Sequence, residues 1–278
     1  GKQAPFLKEE VEKNLAILNF VFFVIAFAVS NLSQLKIFGG VTNADISNKY
    51  ATVFTPAGIT FAIWGVIYLS LFGFTIYHLI RTFKDDVDSE ASIAVLKIGN
   101  LFIINNIATT LWVFAFTYEY ILASMILIII QLITLLMIFI RLSFYDIHKS
   151  LTNKIFTQFP LSIYFAWLCV ANVANISLYL VSIGFTQLNG FSEIDFAIIM
   201  ISVLVILSLF IVGLKRNIFF GLVAIWSLYG IQIKRTAIDP VQFESVITTC
   251  YFGMGLIVGI CLIRLAKDLK YKKKELAN

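Results

Sequence analysis

Apolar residues in this chain come in long runs, at about 15–33, 58–80, 98–118, 120–140, 158–184, 194–214, 217–233 and 243–264. A bilayer core of roughly 30 Å requires about 20 consecutive apolar residues of helix. The pattern therefore predicts an all-α, polytopic membrane bundle of eight transmembrane helices. The seventh run is short, which also suits a re-entrant or strongly buried segment. No Asp, Glu, Lys, Arg or His falls near the middle of any predicted span. Such groups usually mark ion paths and proton relays, so their placement argues against ion-coupled transport and against acid–base or metal chemistry within the bilayer.

The connections carry the charge, and its placement tests the helix count. Of the 21 Lys and Arg, all but Lys36, Lys49, Lys234 and Arg235 fall in the N-terminal segment, the second, fourth and sixth connections, and the C-terminal tail. Positive charge stays cytoplasmic in membrane proteins. An even number of spans with both termini cytoplasmic follows, as expected of a protein in a bacterial inner membrane. The net charge of +5 comes from these loops and the tail, whose natural partners are anionic lipid headgroups. Basic residues scattered through short loops do not make a nucleic-acid surface. The first 13 residues, with Glu9, Glu10 and Glu12, do not read as a cleavable signal.

Composition excludes a water-soluble fold. The 278 residues are 60% hydrophobic and 13% charged, with a mean hydropathy of +0.92, whereas soluble domains are about half apolar and about a quarter charged. Cys169, Cys250 and Cys261 are isolated within predicted spans, and free cysteine packs as a small apolar residue. His78 and His148 lie at span ends, with no carboxylate pair or nucleophile placed to work with them.

The longest connection, about 34–57, holds Gly39, Gly40, Asn43, Asp45, Asn48 and Pro56, and loops of this length often bind or cover ligands. A tight turn at Tyr118, Glu119 and Tyr120 predicts that the third and fourth spans form an antiparallel hairpin. The segment 184–194 marks the expected boundary between a five-helix unit, 1–184, and a three-helix unit with a basic tail, 185–278. The fragments AIWGVIY and AIWSLYG hint at an internal repeat, but their aromatic residues do not fall on a common helical face. Gly253, Gly255 and Gly259 allow another helix to approach closely, in this chain or in the second copy of a homodimer.

Three spans each carry a face that joins a Trp to polar or small residues. Phe61, Trp64 and Tyr68 share a stripe in the second span. Asn105, Thr109 and Trp112 do so in the third, and Tyr164, Trp167, Ala171 and Asn175 in the fifth. A buried Asn costs free energy unless it is hydrogen-bonded, so these faces should meet other helices or a cavity. Two readings stay open on pattern alone. The polar groups are interhelical glue, or with the aromatics they line a pocket for a planar apolar ligand.

The lead-in FTPAGITFAIWGVIY and the fifth-span pattern Pro160, Tyr164, Trp167, Ala171, Asn175 resemble the TspO/MBR family of tryptophan-rich sensory and translocator proteins. Asn105 or Asn106 with Trp112 is similar to that family's third helix. The resemblance covers about 15–184, but most of the aromatic and proline-rich run before the second helix is missing. It implies a five-helix unit with a ligand cavity, to which this chain adds three helices. The residues it implies for ligand binding are Phe61, Trp64, Tyr68, Asn105, Asn106, Trp112, Tyr164, Trp167, Ala171 and Asn175. The implied function is a non-enzymatic sensor or regulator that binds a porphyrin- or sterol-like ligand. It requires no cofactor, although bound heme or porphyrin fits it. The alternatives are a facilitative carrier of such a ligand or of a lipid, and an enzyme that degrades porphyrin or modifies lipid.

Overall fold

The computed structural model describes residues 3–185 and 192–278, whose regular structure is helical. The order is α1 (Gln3–Ser33), α2 (Asn43–Lys49), a 3-10 segment (Gly58–Ala62) leading into α3 (Ile63–Lys84), α4 (Glu90–Ile98), α5 (Leu101–Thr117) and α6 (Ile121–Leu142). Then come α7 (Leu151–Asn153), a π turn (Lys154–Gln158), α8 (Phe159–Ser182), α9 (Glu193–Gly213), α10 (Ile218–Ile238) and α11 (Glu244–Ala277). The connection expected to divide the chain, 184–194, lies mostly outside the described residues.

Each apolar run forms a helix, yet six are long and apolar enough on their own to cross a membrane: α1, α3 with its lead-in, α6, α8, α9 and α11. A seventh appears when α4 and α5 count as one span, bent by 57°. The bend sits at Gly99, whose φ of +54° is open to glycine and disfavoured for other residues. The shortfall from eight is α10. It has 21 residues, but Gln232, Lys234 and Arg235 crowd its last turns. The surface of the bundle suits lipid: Leu69, Ile206 and Leu262 are 76%, 67% and 61% exposed.

Helix α8 is the hub. Every residue from Pro160 to Leu168 is buried, as expected of a helix without a polar face. It packs on α3, α6 and α10. Pro160 has no N–H to donate, and the preceding turn widens to π geometry where a regular helical bond would be lost. The π turn also offers Thr157 Oγ1 to His78 Nε2 at 3.0 Å. In lipid, packing and interhelical hydrogen bonds drive association, so glycines mark the closest approaches. A Cβ at Gly253 would lie 2.6 Å from Val205 Cγ2, and one at Gly221 would lie 2.6 Å from Cys261 Sγ. Gly255 and Gly259, grouped with Gly253 in the sequence, face open space.

Contacts gather the basic segments at one end of the bundle. Lys13 lies over the Phe83 ring at 5.4 Å, and Arg141 Nη1 donates to Lys97 O at 3.1 Å. Ser150 binds Glu90, and Arg264 Nη1 donates to Gly213 O. Asn217 accepts from Phe220 N as the N-cap of α10, and its Nδ2 donates to Phe144 O and Ser162 Oγ at 2.7 and 2.8 Å. Three ionisable groups near helix ends are nevertheless buried, namely Glu12, His78 and Arg235, because neighbouring helices cover them.

At the opposite end the long 34–57 connection is folded. Thr42 and Asp45 form a reciprocal capping box on α2, and Ile46 packs with Phe116, Ile121 and Leu178. Glu119 in the α5–α6 turn accepts from Lys49 Nζ at 2.7 Å and from Tyr50 OH at 2.6 Å. These two donors hold the Glu119 carboxyl below the ordinary carboxylate range. A lowered folded pKa contributes stability above the unfolded value, and that contribution fades as pH falls through the folded one. Amide protection over 43–50, taken relative to the intrinsic exchange rate at each pH, is therefore expected to fall on acidification. Glu119→Gln should show the reduced protection, and so faster exchange than wild type, already at neutral pH, with no further acid response from this contact. Equal exchange in the two proteins at neutral pH would disprove the tether.

Candidate functional site

The site begins where the chain enters α3. Thr52 N donates to Thr55 Oγ1 at 3.0 Å, Pro56 follows, and the backbone winds into the 3-10 segment before α3. This lead-in delivers Phe61 and Trp64 to α8. The Phe61 ring meets Trp167 edge-on, with centroids 5.9 Å apart. Trp64 stacks on Tyr68 at 5.3 Å and meets Trp167 edge-on at 6.1 Å and Tyr164 at 6.5 Å. Trp167 and Tyr164 are buried, Trp64 and Tyr68 are half-buried, and Phe61 is exposed. Offset and edge-to-face pairs are the favoured arrangements of aromatic rings.

A polar network adjoins the rings through Tyr164. Its hydroxyl donates to Asn105 Oδ1 at 2.7 Å. Asn105 Nδ2 donates to Gln131 O at 3.0 Å and Thr134 Oγ1 at 3.1 Å. Thr109 Oγ1 donates to Gln131 Oε1 at 3.1 Å. Helices α5, α6 and α8 are thus joined at one level, and Tyr68 OH reaches Ser30 Oγ on α1 at 3.1 Å. Two donors in this assembly are buried with no acceptor among the described residues, Trp167 Nε1 and Gln131 Nε2. Buried N–H groups are nearly always paired, so these two have hydrogen-bonding capacity to spare.

The ten sequence-predicted residues do not form one group. Phe61, Trp64, Tyr68, Tyr164, Trp167 and Asn105 come together. Trp112 and Asn175 form a second station, with Trp112 Nε1 donating to Asn175 Oδ1 at 3.0 Å and Trp112 stacking on Phe116 at 4.7 Å. Asn175 Nδ2 donates onward to Ser124 Oγ at 3.3 Å. Asn175 lies eleven residues beyond Tyr164 on α8, about 16 Å along the axis. Asn106 donates to Phe102 O of its own helix at 2.8 Å, and Ala171 is half-buried against the core. The rings of Phe61, Trp64, Tyr68, Tyr164 and Trp167 lie against one another. Two clefts, of about 480 Å³ beside His148, Lys215 and Arg216 and about 40 Å³ near Glu90 and Leu161, are lined by other residues.

The profile of the family described as TSPO-like protein matches residues 16–263. The chain belongs to the TSPO-like family. No curated protein and no solved structure matches it. The family match runs from α1 into α11, well past the five helices on which the sequence resemblance rested. Helices α9 and α10 and the first part of α11 therefore lie within the family's matched region.

Sequence reasoning missed several residues of this TSPO-like site. Gln131 and Thr134 complete the Asn105 network, and Ser124 completes the Asn175 station. Gln131 is a lone amide in the run IIIQLITLL, a signal that could have placed it beside Asn105. Trp226, on α10, donates Nε1 to Thr60 O at 2.9 Å. Nothing in its local sequence points to the α3 lead-in.

Proposed function

We propose that this TSPO-like protein binds a planar, largely apolar ligand at the Trp64–Tyr68–Tyr164–Trp167 cluster, and that it acts as a membrane sensor or regulator. The observation that carries this reading is the unpaired, buried Trp167 Nε1 beside a ring cluster whose outer members are only partly covered. A ligand that slides between Trp64 and Trp167, displacing the exposed Phe61 ring, gains aromatic faces. Its acceptor groups then meet Trp167 Nε1 and Gln131 Nε2. Both unpaired groups are donors, which favours a ligand with carbonyl or carboxylate edges, as in a porphyrin or an oxygenated sterol-like compound.

The same reading places the bundle in a bacterial inner membrane with eight passes. Helix α10 is an interior span tolerated through its packing against α8, α9 and α11. The end that gathers the basic segments faces the cytoplasm, by the positive-inside rule. The tail then lies beside anionic headgroups.

Titration of purified protein with protoporphyrin IX tests the ligand reading. Trp64→Ala removes a half-buried ring, so folding should survive. Loss of one aromatic stacking partner is expected to weaken binding by about tenfold, from a stack of roughly 1–3 kcal/mol. Equal affinities of wild type and variant would overturn this site. A proteoliposome flux measurement with the same compound separates sensor from carrier: binding without net transfer supports the sensor, and saturable transfer supports the carrier.

A further inference from the structure

We infer that helix α10 is the positioning element of the aromatic site, so that α9–α11 act as a built-in clamp on the segment carrying Phe61 and Trp64. This deepens the ligand-binding reading above and rests on it for its functional consequence. The lead-in to α3 is short of helical partners, since the first N–H groups of any helix have none within it. Helix α10 supplies some of what is missing. Ala57 N donates to Gly230 O at 2.9 Å, a main-chain bond between the two halves of the protein. One turn earlier on α10, Trp226 Nε1 donates to Thr60 O at 2.9 Å. Further on, Arg235 Nη2 lies 3.5 Å from Thr55 O, with its guanidinium 4.9 Å from the centre of the Phe243 ring.

Steric fit makes the contact specific. Thr60 is wholly buried, and its side chain fills the notch left by the missing side chain of Gly230. A Cβ at Gly230 would lie 2.8 Å from both Cβ and Cγ2 of Thr60, and closer still to Thr60 Oγ1. Phe61 is the next residue, and its ring rests on Trp167. A displacement of Thr60 therefore reaches the ring cluster within one residue and reaches Trp64 within about one turn.

The experiment uses the full chain in nanodiscs and compares wild type, Gly230→Ala, Gly230→Ala with Thr60→Gly, and Trp226→Phe. Three readouts are taken: maleimide labelling of an added Ala57→Cys, near-UV circular dichroism of the aromatic cluster, and protoporphyrin IX affinity. Gly230→Ala is expected to raise labelling, alter the near-UV signal and weaken porphyrin binding, each rate or affinity by at least about fivefold, as overpacking at a tight contact implies. Thr60→Gly should restore all three, because it empties the space the new methyl needs. Trp226→Phe, which removes the indole N–H donor together with part of the ring, should raise labelling and weaken porphyrin binding, and its labelling decides the matter if Gly230→Ala does not fold. Unchanged labelling and an unchanged near-UV signal in folded Gly230→Ala, or unchanged labelling in folded Trp226→Phe, would overturn the clamp. Absence of porphyrin binding in wild type would overturn the ligand reading instead, leaving labelling and dichroism to judge the clamp.

Discussion

Trp167→Ala is expected to destabilise the bundle by about 3–5 kcal/mol, the usual cost of deleting a large buried aromatic side chain. Trp167 is only 2% exposed and touches Phe61 and Trp64 edge-on, so its removal opens a void where α3 meets the hub helix α8. The informative partner is Trp167→Phe. It keeps most of the ring contact and removes an indole N–H that has no acceptor among the described residues. A buried donor left unpaired costs about 1–3 kcal/mol, so the Phe variant should be nearly as stable as wild type in spite of its smaller ring. Its protoporphyrin IX affinity should nevertheless fall by about tenfold, the worth of one hydrogen bond of roughly 1.4 kcal/mol. Stability would be followed by reversible unfolding in detergent and binding by quenching of tryptophan fluorescence. A Phe variant that binds as tightly as wild type would show that the indole N–H does not meet the ligand.

Asn105→Leu is expected to cost about 2 kcal/mol, several times the effect of Asn106→Ala. Asn105 accepts from Tyr164 OH and donates to Gln131 O and Thr134 Oγ1, and so ties α5 to both α6 and α8. A Leu leaves the Tyr164 hydroxyl without its short bond, with only the 3.4 Å contact to Thr109 Oγ1 remaining. Interhelical hydrogen bonds in membranes average only about 0.6 kcal/mol each, so the estimate rests on losing several at once and stranding a buried hydroxyl. Asn106 serves a single carbonyl of its own helix, and its replacement should cost under about 1 kcal/mol. Matching losses in the two variants, measured by the same unfolding assay, would refute the network.

The two asparagines also mark the limit of what could be read from the chain. Adjacent residues on a helix point about 100° apart, so Asn105 and Asn106 cannot serve the same face, but composition does not say which of them faces α6 and α8. The stripe on α8 raised a related difficulty. Tyr164, Trp167, Ala171 and Asn175 share a face by period, yet a face three turns long spans two levels of a membrane. Trp112 joins Asn175 at one level, while Trp64 joins Tyr164 and Trp167 at the other. Helical spacing reports direction around an axis and says nothing of which neighbour stands at which depth.

Local chemistry settled the elements of this protein. Runs of apolar residues too long for a soluble core dictate membrane helices, Pro160 reshapes the turn before the hub helix, Gly99 permits the bend between α4 and α5, and the capping box at Thr42 and Asp45 starts α2. The tertiary structure alone decided the partners. A glycine notch on α10 receives Thr60 from a segment 170 residues earlier in the chain, and a lone glutamine on α6 completes the network of an asparagine on α5. Contacts of that kind depend on the distance and rotation between helices, which arise when whole faces pack together and are encoded in no single stretch of sequence.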